Sequence, residues 1–345
     1  MKNTIEASRN ILILTDDRNQ FYSSSKEYGG SMNTSIILKE LENFGYKVTI
    51  KGFSEIFSND DSYKNYFVLY QSTEDPDLRY KDYVEDVILG LKISGAYLIP
   101  SFEYFRAHHN KVFMEIYRLR ANYDKSIMSW HFGTFEELTK TKCNFTYPVV
   151  IKPSAGSKSK DISLAQNKKE LLAAAFKISR SFTLVNTLRA VKAFLHFKNY
   201  NPISNNRKKF IVQEFVSGLS GDYKVLIYGD KYYVVRRENR PGDFRASGSG
   251  LFTFLDVALD DLLNYAESVF TKSDTPFLGI DIGIRDGRFF LLEFQFMVMG
   301  SGALERSSAY FRKIDNKWQV IREKSILEKV FAESVYLYIN NLNKK

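Results

Sequence analysis

Apolar residues fall along this chain in two rhythms: short, nearly continuous runs, and longer stretches at helical spacing. Residues 10–15 (NILILT) read as a buried strand, 31–44 as a helix stopped at Gly45, and 46–50 and 66–70 as strands. Residues 80–94 repeat the helical spacing, and 97–99 form a short strand closed by Pro100. Strands alternating with helices predict a parallel sheet with crossover connections, so residues 1–105 are assigned to a small α/β domain. Beyond it the pattern predicts a helix starting near His109, a strand at 145–152, helices at 168–180 and 183–197, and a strand at 210–215. A hairpin follows (223–228 and 231–236, turning at Gly229-Asp230), then a helix at 258–271. The chain closes with a helix at 325–341, whose Tyr and Phe stripe reads as core rather than as a cofactor box.

The stretch 277–300, FLGIDIGIRDGRFFLLEFQFMVMG, departs from both rhythms. Two apolar strands join at Arg285-Asp286-Gly287, and inside them sit Asp281, Glu293 and Gln295. A carboxylate among Ile, Leu and Phe is costly to bury unless a cation pairs with it. A two-residue turn would put Asp281 and Glu293 on opposite faces. A three-residue turn, with Gly287 left-handed, puts Asp281, Glu293 and Gln295 on one face, as diagonal neighbours able to hold one or two hard cations. The odd turn and Mg²⁺ are the expectation. Carboxylates at a solvated sheet edge are the plainer alternative.

Other polar segments frame this ribbon. The strand ending at Lys152 runs into PSAGSKSKD, whose small residues and exposed amides can wrap phosphate oxygens, with Lys152, Lys158 and Lys160 adding charge. It is neither a Walker loop nor a dinucleotide fingerprint. Residues 237–250 combine several arginines with a glycine-serine tail, and a planar, permanently charged fork suits phosphate transfer. Residues 181–209 read as a helix and a basic linker, either a solvated excursion or a basic rim facing an acidic substrate. Composition narrows the class. At 345 residues the chain can bury a sizeable core, and its single cysteine, Cys143, excludes an internal disulfide framework and a cysteine-built zinc site. No run approaches a membrane span, and the N-terminus lacks a signal-peptide core, so a cytoplasmic enzyme is expected. The net charge of +9 favours anionic partners, but no nucleic-acid-binding signature accompanies it, so nucleic acid is not expected.

Taken in order, these pieces resemble the ATP-grasp superfamily, whose members include D-alanine–D-alanine ligase, glutathione synthetase and the ribosomal-protein glutamate ligases. The resemblance runs from about residue 100 to the C-terminal helix and rests on five motifs in the right order. It implies an ATP-grasp fold, α/β and α+β, behind the N-terminal parallel-sheet domain. Residues 106–215 would be the lid subdomain with its flexible glycine/serine loop, and 216–345 the C-terminal subdomain with the metal site. Lys111 and Lys152 stand where the family places its two phosphate lysines, and Ser154, Gly156 and Ser157 fall in the loop that closes over the phosphates and excludes water. Gln213, Glu214, Phe215 and Val216 match the linker that reads adenine through its backbone, and Asp222 matches the acid on the ribose hydroxyls. Arg245 matches an arginine at the reacting phosphate, where Arg237 is expected to assist it. Asp281 and Glu293 match the magnesium carboxylates, while Gln295 stands where the family usually has Asn. Residues 297–308 replace a family serine-proline-glycine turn that holds substrate, so no substrate is implied.

The function implied is an ATP-dependent ligase that joins a carboxylate, activated as an acyl phosphate, to an amine. ATP is expected between Lys152 and the Asp281–Glu293 ribbon, with one or two Mg²⁺ and Mn²⁺ as a substitute. The charge suggests an anionic acceptor such as an amino acid, a uronic acid or other acidic saccharide, or an acidic polymer. Family members are often dimers, which makes a homodimer the state to test. An ATP-grasp kinase acting on a small molecule and a non-catalytic ATP-binding regulatory module fit the same motifs.

Overall fold

The structure, a computed structural model, describes residues 9–23, 29–56, 63–73, 75, 77–156, 161–246 and 248–344. The chain divides into two compact units, one of residues 1–108 with 220–345 and one of residues 109–219.

The first unit begins with β1 (Asn10–Thr15), β2 (Phe21–Tyr22), β3 (Ser31–Met32), α1 (Thr34–Asn43), β4 (Lys47–Gly52), β5 (Phe67–Leu69), α2 (Arg79–Ile93), β6 (Tyr97–Ile99) and α3 (Phe102–Ala107). Strands β4-β1-β5-β6 form a parallel sheet in that order. The central strands β1 and β5 are largely apolar and buried, as strands covered on both faces are, whereas edge strand β4 carries Lys47, Thr49 and Lys51 and is only partly buried. Asn33 caps α1 by accepting from the Ser35 amide at 3.0 Å.

The second unit holds α4 (Lys111–Arg120), β7 (Ser129–Phe132), α5 (Phe135–Lys140), β8 (Val149–Pro153), β9 (Ser163–Ala165), α6 (Lys168–Ser179), α7 (Leu184–His196) and β10 (Phe210–Glu214). Its antiparallel sheet runs β7-β10-β8-β9 over a core of Phe132, Val149, Ile151, Leu171, Phe210 and Val212. The sequence pattern missed β7, whose Ser-Trp-His-Phe run alternates polar and apolar residues but is only four residues long.

The chain then returns to the first unit with β11 (Gly221–Tyr228), β12 (Lys231–Glu238), β13 (Phe252–Phe254), α8 (Asp260–Phe270), β14 (Phe277–Arg285), β15 (Arg288–Gln295), α9 (Gly302–Arg306), β16 (Tyr310–Ile314), β17 (Lys317–Ile321) and α10 (Leu327–Leu342). Seven strands form one antiparallel sheet ordered β15-β14-β11-β12-β16-β17, with β13 beside β12. One core joins this sheet to the parallel sheet through α10, where Phe331 stacks on Phe277 at 5.2 Å and meets Phe21 edge-on at 5.6 Å. The resulting fold is a mixed α/β one, with one parallel sheet and separate antiparallel sheets. Among the described residues no helix is long and apolar enough to cross a membrane.

Two backbone features set the geometry of the antiparallel sheet. The β14–β15 turn has two residues, not the three expected from the sequence: Arg285 pairs with Arg288, and Asp286 and Gly287 both have positive φ, 50° and 72°. That is the preferred two-residue hairpin, whose twist matches the strands. Left alone it would send Asp281 and Glu293 to opposite faces. The ladder instead slips between Ile282–Leu291 and Asp281–Glu293, leaving Leu292 as an extra residue in a β-bulge. Beyond the bulge Asp281 lies directly opposite Glu293, and Gly279 opposite Gln295. The second feature is Gly221, where β11 and β12 approach so closely that a Cβ would fall 2.1 Å from the Arg237 carbonyl oxygen. Gly221→Ala is expected to cost about 3 kcal/mol or more, through forced separation of the strands, and urea unfolding checks it.

Candidate active site

In the first unit, strand alternation explains where the charged residues lie. On β11 residues 222, 224, 226 and 228 share a face, on β12 residues 233, 235 and 237, and on β14 residues 277, 279 and 281. Leu226, Tyr228, Tyr233, Val235 and Phe277 take the apolar end of that face into the core. Asp222, Lys224, Arg237 and Asp281 occupy its other end.

Arg237 lies opposite Asp222 in the ladder and forks onto it, Nε to Oδ1 at 2.6 Å and Nη2 to Oδ2 at 2.8 Å. The same Nη2 reaches Asp281 Oδ2 at 2.7 Å. One buried guanidinium therefore serves two carboxylates on two other strands. Burial works against the charge on Arg237, but Asp281 and Asp222 outweigh it and raise its pKa above the ordinary arginine value. Asp222 is pushed up to about 6, first by desolvation and then by Asp281, with Arg237 pulling the other way. Lys224 lies opposite Asp281, and desolvation lowers its pKa against the opposing pull of Asp281 and Glu293. The chain after β15 folds back over this face: Met299 fills the space a Cβ on Gly279 would need, at 3.0 Å. Lys224 Nζ lies 4.0 Å from the corresponding position at Gly300.

Asp281 and Glu293 thus come together with Gln295 two residues along the same strand face. Their oxygens are hard donors of the type Mg²⁺ takes, so the donor chemistry fits that ion. Among the described residues no group of three or more His, Cys, Asp or Glu is arranged to hold a metal. The oxygen donors this face offers are the two carboxylates and the Gln295 amide.

Asp222 and Arg237 are tied to each other. Asp222, expected at a ribose, is 7% exposed and turned into the Arg237 fork. Arg237, expected at a reacting phosphate, is 6% exposed and held between carboxylates. Arg245 lies in a local fork with Asp243, Nε to Oδ1 at 2.9 Å and Nη2 to Oδ2 at 2.6 Å, which raises its pKa. Lys224 was missed, although an Asp and a Lys two apart on one strand was a legible signal that both share a face.

In the second unit, Lys111 opens α4 behind the Asn110 cap. Its amide donates to the Ser154 carbonyl at 2.9 Å and its Nζ to the Gly156 carbonyl at 2.9 Å. Buried Ser154 also donates from its hydroxyl to Asn110 Oδ1 at 3.2 Å, and Gly156 has φ 128°, which favours glycine. The lysine and the loop start are one hydrogen-bonded assembly. Ser157, Lys158 and Lys160 lie outside the described residues.

Lys152 donates to Gln213 Oε1 at 2.7 Å, and Gln213 Nε2 faces Glu115 Oε1 at 3.5 Å. Glu115 is also held by Ser129 Oγ at 2.8 Å and by Arg118 Nε at 3.1 Å. The Gln213 side chain is therefore committed to orienting Lys152. Glu115 and Arg118, both buried, are absent from the sequence candidates, and an acid and an arginine three apart on a helix carry no sign of burial. Glu214 donates its amide to the Met128 carbonyl at 2.9 Å and receives the Met128 amide on Oε2 at 3.0 Å. Phe215 and Val216 follow the strand end and are partly exposed.

No protein-family model and no curated protein matches the sequence. Solved structures do match. D-cycloserine synthetase DcsG is 14% identical with a TM-score of 0.53, covering 96% of this chain and 99% of its own. A RimK domain protein ATP-grasp from Sphaerobacter thermophilus DSM 20745 is 8% identical with a TM-score of 0.52, covering 95% and 98%. N5-carboxyaminoimidazole synthetase from Staphylococcus aureus is 10% identical with a TM-score of 0.51, covering 96% and 77%. At these identities the likeness is one of fold, and the fold is ATP-grasp.

The raised Asp222 pKa has a defined sign. The folded chain binds this proton more tightly than the unfolded one, so the stability contribution falls as pH rises from about 4 to about 6 and is level above. Urea midpoints in EDTA should show this decline in the wild type, and Asp222→Asn should lack it.

Proposed function

We propose that this ATP-grasp chain is an ATP- and Mg²⁺-dependent ligase that activates a substrate carboxylate as an acyl phosphate and joins it to an amine. The observation that carries this reading is the direct opposition of Asp281 and Glu293, with Gln295 on the same face, created by the Leu292 bulge. Asp281, Glu293 and Gln295 would hold Mg²⁺, or Mn²⁺ in its place. Bound there, the ion would neutralise charge on the transferring phosphoryl group.

Lys111 and Lys152 are the phosphate-binding residues in this reading. Each is pre-oriented, Lys111 by Gly156 and Lys152 by Gln213, so little side-chain freedom is lost on binding. Glu214, Phe215 and Val216 are proposed to read adenine through their backbone, and Asp222 to shape the ribose side only if it leaves Arg237. Arg237 acts by holding Asp281 in place. Arg245 exchanges Asp243 for the anionic intermediate and stabilises it electrostatically. A carboxylate oxygen attacks the γ-phosphorus and ADP leaves; the amine nitrogen then attacks the acyl carbon, phosphate leaves, and the amine gives up a proton. No protein nucleophile is required. The net charge of +9 supports an anionic acceptor, such as an amino acid or acidic saccharide.

ADP release across paired carboxylates and amines, with hydroxylamine as a trap, tests the reaction. A ligase yields a hydroxamate and free phosphate, whereas a kinase leaves the phosphoryl group on its product. Glu293→Ala should lower ADP release on the order of 100-fold with the thermal midpoint unchanged. Lys152→Ala should weaken ATP binding by about tenfold in calorimetry.

A further inference from the structure

Helix α7 presents its large side chains the wrong way for a packed helix. Leu184, Leu188, Val191 and Leu195 recur at intervals of four, three and four, which places them on one face. They are between 53% and 75% exposed. The small residues Ala190 and Ala193 are the more sheltered ones. Phe194, Phe197 and Ile203 extend the apolar surface and are each at least 65% exposed. Contiguous apolar surface of this kind marks an interaction site.

The excursion is tied at its neck. The Ser181 amide and hydroxyl both donate to the Asn205 carbonyl, at 2.8 and 3.0 Å, and the Arg207 amide donates to the Ser181 hydroxyl at 3.0 Å. A groove of about 800 Å³ lies between α7 and the returning chain at 200–207, with Arg189 and Arg207 among its lining residues.

Charge selects the occupant. Between Glu170 and Glu214 the chain carries eight lysines and arginines and no acid. A two-fold contact with a second copy would set this cationic surface against itself. A convex helix with Leu and Phe outward and Arg189 and Lys192 on its flank has the build of an in-plane interfacial helix, whose basic side chains reach headgroups while the apolar face enters the acyl boundary. We propose that α7 and the chain following it dock on an anionic lipid bilayer surface. This interaction goes beyond the ligase reading and does not depend on it.

The test is co-sedimentation of the full-length protein with phosphatidylglycerol or phosphatidylcholine vesicles at ~0.1 M salt. Partition onto phosphatidylglycerol should be at least about tenfold the stronger and should fall with added salt. Leu188→Asp/Leu195→Asp should abolish binding, and Arg189→Glu/Lys192→Glu should weaken it about tenfold. These sites are exposed, and an unchanged circular dichroism melt shows that each variant folds. Equal or absent binding to the two lipids overturns the proposal, as does full binding by the Leu188→Asp/Leu195→Asp variant. A dimer in sedimentation velocity that this variant dissolves would assign the face to a second copy. Equal affinity for soluble polyglutamate would assign it to an acidic protein, and either result overturns the lipid assignment.

Discussion

The Arg237 guanidinium holds the charged end of the large sheet together. It spans from β12 across Asp222 on β11 to Asp281 on β14, so three strands share one buried cation. Removing a partner from such a buried pair costs several kcal/mol, because a charge is left uncompensated. The constraint reaches the backbone as well: Gly221 is the only residue type that lets β11 approach the Arg237 carbonyl so closely. Apolar packing holds the other end of the same face, through Phe277 and Phe331. The sheet is thus fastened by electrostatics at one end and by burial at the other.

A separate device orders the smaller unit. Lys152, Gln213, Glu115 and Arg118 form a chain of side chains from the sheet into α4, each fixing its neighbour. Gln213 sits in the middle as the only uncharged member, able to accept from the lysine and donate toward the carboxylate. An apolar residue there would strand both charges.

Much of this was legible in the sequence, and the gaps have physical causes. Buried runs such as NILILT and the helical spacing of residues 80–94 specified their elements, because burial on one or both faces leaves few alternatives. The three polar residues in the 277–300 ribbon, Asp281, Glu293 and Gln295, do share a face, as expected. The expected three-residue turn is not what brings them there. The turn is the two-residue form that Asp286-Gly287 favours, and the face is restored by a bulge at Leu292, which no turn chemistry announces. Side-chain pairing across strands was legible only in part: the Gly229-Asp230 turn fixes Asp222 opposite Arg237, but the reach of Arg237 to Asp281 depends on a pairing of β11 with the distant β14 that spacing along the chain does not reveal. The hairpin of β16 and β17 differs, since its Asp315-Asn316 turn, with φ of 49° and 61°, is a local hairpin signal present in the sequence.

The Arg237 fork has one more consequence. Asp222 and Asp281 already own a counter-charge supplied by the chain itself, so the folded sheet is electrostatically settled before anything from solution arrives. Any cation taking hold of Asp281 must therefore compete with a resident one. Its capture is a substitution, not an addition, and its affinity measures the difference between newcomer and incumbent.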